Sequence, residues 1–155
     1  LIYTKSDFEV EQLASCLWAL CEEAYEHGSP WTKDQFLMDI QQPHTQYYLL
    51  VENSLLQGFI GYSKVIDETE ITNIAVAKKL QKKGYARQLL RFLLDREKQA
   101  GTYNVYLEVR TSNLAARHLY QSEKFRELGK RKSYYHDPVE DAIIMSTKLK
   151  TETMK

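Results

Sequence analysis

Only three Pro and six Gly interrupt 155 residues, and two Cys with a balanced charge leave several common chemistries nothing to work with. So few breakers over this length bound the chain to one ordinary domain. Cys16 and Cys21 stand five apart on one helix-like stretch, which suits neither a CxxC redox pair nor half of a zinc site. Both are expected to be ordinary buried thiols. His27, His44, His118 and His136 are scattered with no HExxH or other ligand spacing, so no metal is expected. Lys plus Arg and Asp plus Glu each total 21, so no net positive field supports direct nucleic-acid or anionic-membrane binding. Any charged site must be local. The longest uncharged apolar run, Leu13 to Cys21, is about half of the roughly 20 residues a membrane span needs, and Asp7, Glu9 and Glu11 spoil a signal-peptide start. A cytoplasmic protein is expected. The chain opens on Leu1 rather than Met, and the expectation is that something stood before it.

What is present is enough for a core: 43% apolar and 27% charged residues, close to soluble-protein averages. Ser6 with Glu9 reads as a capping box, and Val10, Leu13, Leu17, Cys21 and Ala24 recur at helical spacing until Gly28. Thr32 with Gln35 repeats the box after Pro30-Trp31 and opens a short helix that ends before Pro43. From residue 47 the texture changes to β-rich runs, Tyr47 to Glu52, Gly58 to Ile66 and Glu70 to Val76, as in an antiparallel meander. Ala86, Leu89, Leu90, Leu93, Leu94 and Ala100 return to helical spacing, and Gly101 stops that helix. A strand from Tyr103 to Val109 follows, so strand, helix and strand make a crossover with parallel strands. A helix over 113–122 and strands over 125–135 and 142–149 complete the expected elements.

Gln81-Lys82-Lys83-Gly84-Tyr85-Ala86-Arg87 lies between a strand and the strongest helix, so its amides form a helix N-terminus flanked by cations that suits a phosphate or pyrophosphate. A plain turn at Gly84 with a solvated charge run explains the same residues. The loop is neither GxxxxGK[ST] nor GxGxxG, which argues against a nucleoside triphosphatase and a dinucleotide oxidoreductase. Glu108 interrupts an apolar strand; it either faces water or sits where partial burial turns it into a useful base. Asn113 reads most simply as a helix N-cap, and Tyr120 is one of 11 tyrosines.

Jointly, QKKGYARQLL, LEVRTSNLAARHLYQSEKF and RKSYYHDPVEDAIIM resemble the GCN5-related N-acetyltransferases (GNAT). The last two stretches resemble the ribosomal-protein-alanine (RimI-type) branch, closely over about residues 69 to 149, with Pro30-Trp31-Thr32 as an earlier echo. The resemblance implies a mixed α/β GNAT fold. Its twisted, mostly antiparallel sheet would have about six to seven strands and helices on both faces, splayed between the fourth and fifth strands. It implies acetyl-coenzyme A as acetyl donor and no metal. The pyrophosphate would lie on Lys82, Lys83, Gly84, Tyr85, Ala86 and Arg87, the pantetheine arm along Ile74, Ala75 and Val76, and Asn113 would touch the cofactor. Glu108 would be general base and Tyr120 general acid; Trp31, Tyr134, Tyr135 and Asp141 would meet the acceptor, a protein N-terminus beginning with alanine in a small-subunit ribosomal protein.

Those roles make chemical sense. An ammonium cannot attack a thioester, so a base must take its proton, and a tyrosine with a pKa of about 10 can protonate a departing thiolate of about 8.5. Cys16 and Cys21 lie outside any nucleophile motif, so transfer is expected to be direct. Two positions depart from the family pattern: Ala86 where many relatives carry a second glycine, and Lys124 before Phe125 where Gly-Phe is usual. If the latter needs a left-handed conformation, lysine costs about 1 kcal/mol there. An acetyltransferase acting on lysine, a polyamine or another small amine is the nearest alternative; a non-catalytic acyl-coenzyme A binding module is the alternative of another class.

Overall fold

A computed structural model describes residues 2–149. In chain order the elements are β1 (Ile2–Thr4), α1 (Val10–Ala24), α2 (Lys33–Ile40), β2 (Thr45–Glu52), β3 (Leu55–Val65) and β4 (Glu68–Val76). There follow α3 (Tyr85–Gln99), β5 (Asn104–Arg110), α4 (Leu114–Ser122), β6 (Arg126–His136) and β7 (Val139–Lys148). The strands form one seven-stranded sheet in the order β1-β2-β3-β4-β5-β7-β6. β1 was not expected from the sequence, because three residues are too few to show an alternation. The helical crossover through α3 makes β4 and β5 parallel, as expected. Their ladder takes in Glu68 with Asn104, Thr69 with Val105 and Glu70 with Tyr106, whereas β5 pairs with β7 along its whole length from Asn104 to Arg110. The parallel ladder thus covers the first three residues of β4.

The described chain divides into two compact units, one of residues 2–63 with 72–93 and one of residues 64–71 with 94–149. In the first, α1 and α2 bury Leu13, Leu17, Leu20, Phe36 and Ile40 against Tyr47, Leu49 and Phe59 of β2 and β3. Gly61 is required there: a Cβ at this position would come within 2.8 Å of the Tyr47 ring. The Thr32–Gln35 capping box forms as read, with reciprocal bonds of 3.1 and 2.9 Å. The Ser6–Glu9 box does not. Glu9 is itself the N-cap of α1, its carboxylate accepting from the amides of Glu11 and Gln12, while Ser6 shares a hydroxyl contact with Thr4 in a preceding 3-10 turn. Cys21 is buried as expected, and burial pushes its thiol up to about 12; Cys16, on the outer side of the same helix, is exposed, which corrects the reading of both as buried.

In the second unit Val105, Leu107 and Val109 alternate into the interior, and Ala142, Ile143 and Met145 of β7 are buried as well. Its polar centre is Glu97, only 3% exposed, near the end of α3. Its carboxylate accepts from the Thr69 hydroxyl on β4 and from the Thr102 hydroxyl at 2.9 Å, and pairs with Lys64 at 3.5 Å. After α4 the chain turns through Lys124 at φ +71°, with Phe125 N donating to Tyr120 O at 2.9 Å. This is the left-handed helix end suspected from the sequence. Among the described residues no helix is long and apolar enough to cross a membrane, and no group of three or more His, Cys, Asp or Glu is placed to hold a metal ion.

Two stability changes follow, both readable by urea unfolding. Lys124→Gly relieves the positive φ and raises stability by up to about 1 kcal/mol. Glu97→Ala leaves two buried hydroxyls without their acceptor and lowers stability by about 3 kcal/mol.

Candidate active site

The first group of expected residues lies in the first unit. β4 ends in Ile74, Ala75 and Val76, the last two buried, and the Tyr25 hydroxyl donates to the Ile74 carbonyl at 2.7 Å. Just ahead of them the Thr72 hydroxyl oxygen and both amide atoms of Asn73 are buried without a hydrogen-bond partner, so this strand carries polar capacity that the protein leaves unused. The chain then runs through a 3-10 turn at Lys78–Leu80, and Gln81 Nε2 ties the loop back to the Val76 carbonyl at 3.0 Å. Lys82 and Gly84 both adopt positive φ, +64° and +89°. The first ladder bond of α3 is Gln88 N to Gly84 O at 3.0 Å, so the amides of Tyr85 and Ala86 precede the helical ladder. Nothing lies within 4 Å of where a Gly84 Cβ would stand. Open space over a helix N-terminus, with Lys82 and Lys83 exposed beside it, fits a diphosphate. Trp31 is half-buried and packs on Phe36, ring centroids 5.2 Å apart.

The second group lies in the second unit, on the face of β5 opposite its buried residues. Asn104, Tyr106, Glu108 and Arg110 alternate along that face, all half-buried. Glu108 therefore does not face open water: its side chain is 12% exposed, and its Oε2 is buried with no hydrogen bond. Arg131 of β6 pairs with it, its Nε 3.4 Å from that oxygen and its guanidinium over the Tyr134 ring at 5.3 Å. Tyr135 packs edge-on against Tyr134 and beneath the Arg110 guanidinium, 4.3 Å from its centroid. Burial, with the Glu108 charge next in importance, pushes Tyr134 up from its ordinary value and Tyr135 up to about 12. Burial does the same to Tyr106, with Glu70, Glu68 and Glu108 adding to it.

Three expected residues serve local structure here. Asn113 is the N-cap of α4, its side-chain oxygen accepting from Ala116 N at 3.1 Å. Asp141 accepts from Ser133 N at 2.8 Å, at the point where β6 slips register between Arg131 and Tyr135 and Ser133 takes φ +53°. Tyr120 is 4% exposed, against Phe125, and burial together with the Tyr135 charge pushes its hydroxyl up. Glu140 likewise has structural partners: it accepts from Ser112 N at 2.5 Å and pairs with Arg110 at 3.2 Å, which together hold its carboxyl below the usual range.

Sequence reading passed over Tyr106, Arg110 and Arg131. The first two stand two residues either side of Glu108 on an alternating strand, a signal that was available. Arg131 gave none, because the register slip in β6 hides which of its residues share a face with Glu108.

The family model described as acetyltransferase (GNAT) family matches residues 10–125. A ribosomal protein bS18-alanine N-acetyltransferase of Escherichia coli K12 is 37% identical over 122 residues, covering 77% of this chain and 82% of that protein. One of Haemophilus influenzae is 38% identical over 147 residues, covering 88% and 96%. The crystal structure of the ribosomal-protein-S18-alanine N-acetyltransferase from Escherichia coli superposes with a TM-score of 0.86 at 31% identity, covering 99% of this chain and 96% of that one. The chain belongs to the GNAT acetyltransferase family. It is an acetyl-coenzyme A dependent N-acetyltransferase.

The buried tyrosines give the fold a pH signature. Tyr135 and Tyr120 have folded values above the roughly 10 of an unfolded tyrosine, so between the two the native state holds protons that the unfolded chain has released. Their contribution is complete below pH 10 and is lost as pH rises towards 12. The urea midpoint is expected to fall over that window, and less steeply in Tyr120→Phe.

Proposed function

We propose that this enzyme acetylates a protein N-terminal α-amine, and that its acceptor is the alanine that begins ribosomal protein bS18. The observation that carries the reading is the mostly buried Glu108 carboxylate set among tyrosines on β5 and β6, in a chain whose relatives of nearly full length act on that alanine. A ribosomal-protein acceptor assigns the enzyme to the cytoplasm, working as a single acetyltransferase domain.

Acetyl-coenzyme A supplies the thioester acyl group. The amides from Lys82 to Arg87 take its diphosphate, the Ile74–Val76 edge takes its pantetheine amides, and the Asn113 amide nitrogen, left over from the cap, is assigned to the cofactor as well. Glu108 takes a proton from the acceptor ammonium, directly or through water, and frees the lone pair that attacks the carbonyl. Tyr120 stays protonated throughout the neutral range, because burial raises it, and gives its proton to the sulfur as the carbon–sulfur bond breaks. Tyr134 and Tyr135 bracket the first acceptor residues, Trp31 contacts the acceptor, and Asp141 acts on it through the bend that presents the two tyrosines.

An α-amine suits this base. With a pKa of about 7.7 to 8.0 it is roughly a tenth deprotonated at pH 7, whereas a lysine near 10.4 is several-hundredfold poorer in free base, a difference of about 3 to 4 kcal/mol.

The test is competition between a peptide carrying the bS18 N-terminal sequence and the same peptide with a blocked N-terminus and a free internal lysine, with mass spectrometry locating the acetyl group. Faster acetylation of the blocked peptide overturns the reading in favour of a lysine or small-amine acceptor. Glu108→Gln is expected to lower kcat/KM about 100-fold at pH 7 and less at pH 9, where more acceptor is already deprotonated. Tyr120→Phe loses turnover without that recovery. In the loop, Gly84→Val meets both the positive φ and the diphosphate. It is expected to weaken acetyl-coenzyme A binding about tenfold by calorimetry and to cost about 1 kcal/mol of stability.

A further inference from the structure

We infer that Arg131 is a positioning residue for the reaction: its guanidinium pairs with Glu108 Oε2 and aims the carboxylate, so that Oε1 is left to receive the acceptor's proton. The inference rests on the reading of Glu108 as general base. Arg131 stands on the exposed strand β6, its side chain 55% exposed, yet its Nε reaches a carboxylate that is 12% exposed. Glu108 Oε2 is buried and accepts no hydrogen bond, so this ion pair at 3.4 Å is the charge compensation the structure gives that atom. Removing a carboxylate that far from water is costly unless a partner of opposite charge stands against it, and the Arg131 guanidinium is placed to do so.

The backbone is shaped to deliver the cation. A regular β6 would alternate Arg131, Ser133 and Tyr135 on one face and send Tyr134 to the other. The register slip between Arg131 and Tyr135, fixed by Ser133 at φ +53° and by Asp141 accepting its amide, lets Arg131 lie over the Tyr134 ring while still reaching Glu108. The other titratable groups about Glu108 are Tyr106 on its own strand and Tyr134 and Tyr135 on β6, with Glu70 of β4 acting on Tyr106 and Tyr134. The tyrosines are raised and neutral at working pH, and the cations in this cluster are Arg131, at the Glu108 carboxylate, and Arg110, over the Tyr135 ring.

The experiment is the pH profile of kcat/KM for an alanine-initial peptide, from pH 5.5 to 9.5, in Arg131→Gln, Arg131→Lys, Glu108→Gln and the Arg131→Gln, Glu108→Gln double variant, with circular dichroism melting of each. Arg131→Gln is expected to move the acidic limb up by about one pH unit, to lower kcat/KM about tenfold at pH 6.5, and to change it little at pH 9. Arg131→Lys keeps the charge and recovers most of the limb position. In the Glu108→Gln background Arg131→Gln adds almost nothing. A loss of equal size at every pH, or one that adds in full to Glu108→Gln, overturns the inference and makes Arg131 a structural or acceptor-contact residue. If Glu108→Gln alone keeps the wild-type rate, the general-base reading fails first and this inference with it; if only Arg131→Gln is silent, the base stands and the positioning role is lost.

Discussion

A buried carboxylate decides where the parallel pair of strands begins. Glu97 accepts from Thr69 on β4 and from Thr102 after α3, and pairs with Lys64 at the end of β3. The helix end, the start of β4 and the approach to β5 are thereby fixed to one point, and Tyr103 N donating to Asp67 O at 2.7 Å repeats the constraint on the backbone. The register Glu68 with Asn104 follows from it, and from that register follows which β5 residues share the face of Glu108. Burying such a charge is costly unless every partner is in place, so the network defines one arrangement rather than a family of them.

On that base the chemistry of the second unit is organised by exchange between charge and aromatic rings. Arg110 and Arg131 each lie over a tyrosine, each is paired with a glutamate, and each is held by a neighbouring loop or bend. A guanidinium is attracted to the face of an aromatic ring, and burial of the tyrosines keeps them neutral. Two paired arginine–glutamate couples thus stand among tyrosine hydroxyls that stay neutral over the whole physiological range.

Helices and the crossover were legible because their signals are local: the Thr32–Gln35 box, the apolar stripe of α3 and the alternation of β5 all sit within one window of sequence. The Ser6–Glu9 box misled because Thr4 with Asp7, and Glu9 alone, offer competing caps within the same few residues, and the backbone chose between them by tertiary context. Cys16 was misread for a different reason, since a small apolar residue on the outer side of an amphipathic helix carries no mark of its exposure. The loop Lys82–Arg87 and Glu108 were legible as residue types in a pattern. The partners of Glu108 were not, because they depend on a bend in β6 where Asp141 of the adjoining strand accepts from Ser133 N.

The two strands that end the sheet are β1, three residues long, and β6, which is exposed along almost its whole length and interrupted by a bend. β6 also carries Arg126, Lys130, Arg131 and Lys132. An open strand edge is a template for another chain, and short length, a bend and closely spaced cations each spoil the template. Each open edge of the sheet is therefore a poor template for a further strand.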